Sequence, residues 1–362
     1  LSEEKGMDIN MMKRIEKLRK LLRYEKIDAY LSVNPINRRY ISGFTGSTGY
    51  AVISEKSSDF ATDFRYFEQV AKECPGYELI EIGKDYTIYD YLKEKSYKTV
   101  AVEEDFMTVE AFKSFEKNVP ETEFVYGAKM LNKIRMIKSE DELELFKEAC
   151  KITDEIMMHV IETIKAGMTE KEINALILSK IIEFGGETYF FMPIVASGER
   201  SSMPHGKPTD KRLENGDFVI IDMGIIYKGY FSDMTRTVVI GKAADKQRQI
   251  YDTVLRAQLE AVKLISAGMT GTQADRIARD VIEKAGYGQY FGHALGHGFN
   301  DGLVLSSDSR GNAVLEENMV FTIEPGIYIE NYGGVRIEDT VILTKDGCIP
   351  LYNTSKELIE IL

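Results

Sequence analysis

Residues 219–237 read VIIDMGIIYKGYFSDMTRT, and residues 321–339 read FTIEPGIYIENYGGVRIED. Each stretch is a pair of apolar, β-rich runs joined by turn-forming residues, around Lys228 and Gly229 in the first and from Asn331 to Gly334 in the second. Aligning VIIDMGIIY with FTIEPGIYI sets Asp222 against Glu324. The pattern predicts Asp222 and Asp233 on paired strands of one hairpin, and Glu324 and Glu338 on the equivalent strands of another. Four acids then converge from two matched frames.

The match extends outward. IKAGMT at 164–169 recurs as ISAGMT at 265–270, and each copy leads into an amphipathic helical pattern. Two copies occurring once each do not make a solenoid. They predict a duplicated, pseudo-twofold α+β domain whose equivalent strands meet at one central site.

A bare carboxylate inside an apolar strand costs several kcal/mol to bury unless cations or donors compensate it, on the order of the penalties seen for buried charges. Four carboxylates balance two divalent ions, and YFGHALGHGFN supplies imidazoles at His293 and His297. A lone Asp in a strand is more often a bulge, edge or hydrogen-bonded residue, and Arg236 and Arg336 could pair with the nearby acids as a structural network. Matched strand-turn-strand frames favour the metal reading, because two unrelated ion-pair clusters would not need them.

The rest of the chain sets bounds. Its 362 residues exceed one ordinary core and predict two domains. Residues 9–24 carry Met11, Met12, Ile15, Leu18, Leu21 and Leu22 at helical spacing, and β-rich runs follow at IDAYLSV, YAVIS, YELIEI and TVAVE. Helical patterns around 64–73 and 107–116 alternate with them, so residues 1–127 are read as an α/β domain. Residues 128–362 form the second domain, opening on one long helix with a capping box at Ser139 and Glu142.

A formal charge of −12, from 46 basic and 58 acidic side chains, leaves no basic surplus for nucleic-acid binding. Even the apolar helix pattern NALILSKIIEF contains Lys180 and Glu183, so no membrane span is expected. The N-terminus lacks the apolar core of a signal peptide, with Met7 read as the natural start. Cys74, Cys150 and Cys348 are odd in number and widely spaced, which predicts reduced packing residues in a cytoplasmic protein.

SSMPHGKPTD, VIIDMGIIYKGYFSDMTRT, FGHALGHG, FTIEPGIYI and GGVRIED occur in the order and spacing of the pita-bread metallopeptidases. The chain resembles their Xaa-Pro dipeptidase (prolidase) and aminopeptidase P branch, also through NPINRRYISGFTGSTGY and TDFRYFEQ in its N-terminal half. The resemblance implies a creatinase/prolidase-like N-terminal domain before a pita-bread catalytic domain. It implies a dinuclear site of Asp222, Asp233, His297, Glu324 and Glu338, with Asp233 and Glu338 bridging the ions. Asp222 would complete one ion, and His297 with Glu324 the other. A hydroxide between the ions would attack Xaa-Pro bonds of di- or oligopeptides, Glu324 would shuttle the proton, and His205 and His293 would orient the substrate. Arg336 resembles the family arginine beside the metals, with pairing to Glu338 or Asp339 as its alternative. Two ions per chain are implied, manganese or cobalt before zinc or iron, in a homodimer.

The pattern breaks after GHG. There the family continues in a form like IGLEVHEXP, whereas this chain reads FNDGLVLSSDSRGN, placing Val304 where the second His stands and Leu305 at the following acid, in a segment about two residues shorter. The remaining histidine, His159, reads as an ordinary helix residue. Three readings follow: a peptidase with a rebuilt or impaired substrate loop using Asn300, Asp301 or a serine from Ser306 to Ser309, a metal protein acting on a non-peptide substrate, or a non-catalytic binding relative.

Overall fold

A computed structural model describes residues 9–362. The readings on the first eight residues, including the start at Met7, lie outside the described residues. Two units form, one reaching to Arg135 and the other running from Met136 to Leu362.

The first unit contains α1 (Ile9–Glu25), β1 (Ala29–Ser32), α2 (Pro35–Ser42), β2 (Tyr50–Ser54), β3 (Ser58–Thr62), α3 (Phe67–Glu73) and β4 (Glu78–Glu81), then α4 (Ile88–Lys95), β5 (Thr99–Val102), α5 (Val109–Asn118), β6 (Glu123–Tyr126) and α6 (Ala128–Met136). Its six strands lie in the order β4-β3-β2-β1-β5-β6. The β1–β5, β5–β6 and β3–β4 pairs are parallel, and β2 runs antiparallel to both its neighbours. Side chains of a strand alternate between faces. Along β1, Ala29 and Leu31 enter one core with Leu92 and Val100, while Tyr30 enters the other with Ile15 and Leu18. This is the α/β domain that the alternating pattern predicted. Leu131 and Ile134 of α6 pack into the second of these cores, which carries the unit on to Arg135.

The single long helix expected from residue 128 is two helices, α6 and α7 (Glu140–Thr163). Ile137 leaves the helix to bridge Met319, and the Ser139 amide donates to Glu142 Oε2 at 3.0 Å, starting α7 afresh. The copies are then explicit. Helix α7 turns through IKAGMT into α8 (Glu170–Glu183), and α9 (Asp245–Leu264) turns through ISAGMT into α10 (Gly271–Lys284). Gly167 (φ 88°) and Gly268 (φ 91°) occupy the same left-handed position. Their amides donate to Leu213 O and Leu315 O respectively, each at 2.8 Å.

After α8 come β7 (Thr188–Tyr189), β8 (Ile194–Ser197), β9 (Phe218–Met223), β10 (Ile225–Tyr227), β11 (Tyr230–Phe231) and β12 (Met234–Ile240). After α10 come β13 (Gly296–His297), β14 (Val304–Leu305), β15 (Val320–Ile323), β16 (Gly326–Ile329), β17 (Gly333–Arg336), β18 (Asp339–Thr344), β19 (Gly347–Pro350) and β20 (Ile359–Ile361). In the first copy β9 pairs with β12 and β10 with β11, and in the second β15 pairs with β18 and β16 with β17. Each hairpin expected from the sequence is therefore broken in the middle, at Gly224 and at Pro325. Only Asp222 lies within a strand. Asp233, Glu324 and Glu338 sit at the strand ends flanking these breaks, which corrects their predicted placement on the strands themselves. Asp222 stays paired with Thr235 and Ile194, and Glu338 bridges Thr235. The first copy packs Ile177, Val219, Ile221 and Val238 into its own core, and the second packs Ala278, Phe321, Val335 and Val341 into another.

Candidate metal centre

Backbone bonds between the two copies bring the acids together. The Glu338 amide donates to Thr235 O at 3.1 Å, stitching the end of β17 to β12. Thr235 Oγ1 donates to Glu338 Oε2 at 2.6 Å, and Thr340 Oγ1 donates to Asp233 O at 2.8 Å. These threonines stand two residues after Asp233 and Glu338, so each copy braces the acid segment of the other. Reading the repeat two residues further would have revealed them. Tyr352 also holds Asp233, its Oη lying 3.1 Å from the Asp233 amide and 2.7 Å from the carbonyl. No sequence pattern pointed to that tail residue.

His297 arrives on β13. Its amide donates to Thr322 Oγ1 at 3.0 Å, and the same hydroxyl donates to Glu324 Oε1 at 3.0 Å. A Cβ at Gly296 would stand 1.9 Å from Thr322 O, so only glycine lets β13 approach β15 this closely. His297 Nδ1 lies 2.9 Å from Gly298 O, which assigns the ring proton to Nδ1. The lone pair on Nε2 then faces Glu324 Oε1 at 3.4 Å and Asp233 Oδ2 at 3.7 Å. Two ligands of one ion, each about 2.1 Å from it, stand roughly 3.0–3.4 Å apart. Asp233, His297 and Glu338 each present a ligand atom within 4.8 Å of the others'.

The electrostatics lead to the same place. Asp222, Asp233 and Glu338 are buried. Burial, reinforced by Glu338 and Asp222, pushes the Asp233 carboxyl well above the usual range. Burial together with Glu324 and Asp222 does the same to Glu338. The Asp222 carboxyl is also raised, by burial against the lowering effect of Arg336. Its Oδ2 accepts from Arg336 at 2.6 Å, while its buried Oδ1 has no hydrogen-bond partner among the described residues. An orphaned carboxylate oxygen, two further buried acids and an imidazole lone pair fit a divalent cation centre.

Around this cluster, Arg336 also donates to Tyr328 Oη at 2.9 Å and to Thr235 Oγ1 at 3.1 Å. It therefore binds Asp222, not the Glu338 or Asp339 carboxylates of the alternative reading. That structural role belongs to Arg236, which pairs with Asp339 at 2.8 Å. His293 Nδ1 lies 2.8 Å from Ala294 O, and its Nε2 lies 2.9 Å from Tyr328 Oη. Burial lowers the His293 pKa, keeping the ring neutral, and pushes the Tyr328 hydroxyl up to about 12. Tyr328, which sequence reasoning missed, thus accepts from Arg336 and donates to His293. His205 is exposed on a turn. His159 lies within α7. Val304 pairs directly with His297 across β13–β14, setting an isopropyl group beside the imidazole. Cys74, Cys150 and Cys348 are free thiols.

The family model described as Metallopeptidase family M24 matches residues 144–345, and that of the Creatinase/Prolidase N-terminal domain matches residues 14–137. The chain belongs to metallopeptidase family M24. Relatives of this M24 peptidase include an uncharacterized peptidase of Bacillus subtilis, YqhT, 41% identical with 96% of this chain and 99% of the relative covered. The Xaa-Pro dipeptidase of Pyrococcus furiosus is 39% identical over 96% of this chain and 100% of its own. Among solved structures, a Xaa-Pro dipeptidase from Bacillus anthracis superposes with a TM-score of 0.91 at 40% identity, covering 97% of this chain and 100% of that one. The fold is thus a creatinase-type N-terminal domain and a pita-bread catalytic domain, as the resemblance implied. M24 is a divalent-metal-dependent peptidase family, so this M24 peptidase is an enzyme. Among the described residues, no helix is long and apolar enough to cross a membrane.

Proposed function

We propose that this M24 peptidase hydrolyses Xaa-Pro peptide bonds, using two divalent ions held by Asp222, Asp233, His297, Glu324 and Glu338. The observation that carries the reading is the pair of acids, Asp233 and Glu324, facing the His297 Nε2 lone pair, with buried Asp222 Oδ1 lacking a hydrogen-bond partner among the described residues. Relatives named as Xaa-Pro dipeptidases give the substrate class. Asp233 and Glu338 would be shared between the ions, Asp222 would belong to one, and His297 with Glu324 to the other. Bound there, the ions would polarise the scissile carbonyl and lower the pKa of the attacking water.

The protein's own groups do the remaining work. Glu324, steadied by Thr322, takes the proton of the water and returns it to the leaving amine. Neutral His293, held by Tyr328, and exposed His205 orient the peptide. Arg336 fixes Asp222 and balances the local negative charge. The same proposal comprises manganese or cobalt as the metal and a homodimer, on the resemblance alone, and a cytoplasmic location, on the odd number and wide spacing of the cysteines. It also includes slowed turnover, because Val304 donates no hydrogen bond beside His297.

The test is cleavage of an Xaa-Pro dipeptide panel beside an Xaa-Pro-Xaa tripeptide panel, with manganese and cobalt supplied. Metal-dependent cleavage is expected, abolished in Asp233→Asn and Glu338→Gln. Equal activity in those variants would rule the proposal out.

A further inference from the structure

The turn that follows His297 contains a buried ion pair that the chemistry above does not use. Lys138, on the segment between α6 and α7, donates from Nζ to Asp301 Oδ2 at 2.6 Å and to Met136 O at 3.1 Å. The two side chains are 3% and 0% exposed. A fully buried lysine and aspartate are costly to desolvate, and such a pair is weak support for stability in itself. Its geometry suggests what it does instead.

Asp301 Oδ1 accepts from the Leu303 amide at 3.1 Å, and Gly298 N donates to Leu303 O at 2.9 Å, closing the turn. Asn300 (φ 55°) and Gly302 (φ 80°) adopt the left-handed backbone that this closure requires. A Cβ at Gly298 would fall 2.1 Å from Asp301 Oδ1, so the carboxylate is seated directly against the Gly298 backbone. Gly298 O in turn accepts the hydrogen bond from His297 Nδ1–H. The contacts run without a gap from Lys138 to Asp301, to Gly298, and to the imidazole.

We propose that the Lys138–Asp301 pair is a positioning brace for His297, holding the Gly298 carbonyl so that Nε2 faces Asp233 and Glu324. Partners that orient a ligating imidazole typically govern metal affinity by about tenfold to a hundredfold. The brace acts one residue further out, through the Gly298 carbonyl. It rests on the metal-centre reading above, and concerns how that centre is held rather than which bond it cleaves.

The experiment is titration of the full-length, chelator-treated protein with cobalt(II), followed by calorimetry and by the visible absorption of the bound ion. Lys138→Met and Asp301→Asn are compared with Ile177→Ala, a core truncation in the first copy. Both brace variants are expected to raise the cobalt Kd by about tenfold, toward the low end of that range, and to alter the absorption band. Ile177→Ala is expected to lower Tm while leaving Kd unchanged. The double variant, Lys138→Met with Asp301→Asn, leaves no unpaired buried charge. It is expected to regain stability without regaining cobalt affinity, which separates positioning from folding and serves if a single variant does not fold. Wild-type affinity in brace variants that fold would overturn the inference while leaving the metal centre intact. Absence of cobalt binding by the wild type would instead overturn the metal centre itself, and the brace with it.

Discussion

Replacing Arg336 with methionine removes a buried cation that reaches into the acid cluster. The guanidinium is buried, and it holds Asp222 Oδ2 at 2.6 Å with Tyr328 Oη and Thr235 Oγ1 as its other partners. Asp222 Oδ1 has no hydrogen-bond partner among the described residues. Removing one side of such a pair leaves an uncompensated buried charge, and the loss is about 3–5 kcal/mol. At roughly 2–4 °C per kcal/mol for a unit of this size, that is a fall in Tm of about 6–20 °C for the metal-free protein at pH 8. The deficit must also depend on pH. Burial already raises the Asp222 carboxyl, and loss of Arg336 raises it further. A group whose folded pKa lies above its unfolded value costs stability while ionised, and the cost is relieved as pH falls through the folded pKa. Scanning calorimetry at pH 8 and pH 5 is expected to show the variant nearer to wild type at pH 5. Saturating manganese should narrow the gap at pH 8, because the ion replaces the missing charge. A loss below about 1 kcal/mol at pH 8, or a deficit of the same size at both values, would refute this reasoning.

Two further outcomes follow from the same geometry. The carboxyls of Asp233 and Glu338 are raised by burial and by the neighbouring carboxylates, so the metal-free wild type should itself gain stability as pH is lowered from 8 toward 5. The slope should be about 1.4 kcal/mol per pH unit for each proton taken up on folding. Metal-loaded protein should lose stability over the same interval, and parallel curves would count against the cluster. Val304→His places a donor directly across from His297 and should raise turnover on an Xaa-Pro substrate by up to about a hundredfold. Unchanged turnover would mean that the missing donor is not limiting.

Much of this arrangement was legible in the sequence because it is duplicated. The repeated IKAGMT and ISAGMT turns located the equivalent helices, and matching VIIDMGIIY to FTIEPGIYI brought Asp222 and Glu324 into register. Apolar periodicity does not register a break within an apolar run. Gly224 and Pro325 therefore passed as strand residues, although each interrupts its apolar run between two separate strands. The continuous helical pattern across residues 128–163 likewise hid the interruption at Ile137, which is imposed by its bridge to Met319. Thr235, Thr322, Tyr328, Tyr352 and the Lys138–Asp301 pair escaped for a different reason. Each acts through a contact made only on folding, and a hydroxyl or a charge in sequence says nothing about its partner. Only the threonines at matched distances after Asp233 and Glu338 left a trace that the repeat could have exposed.

The most direct measurement is anomalous diffraction from crystals of the manganese-loaded protein. Two ions are expected, both in contact with Asp233 and Glu338, one completed by Asp222 and the other by His297 and Glu324. Finding no ion among these residues, or finding manganese bound elsewhere with the five side chains unligated, would contradict the two-metal centre.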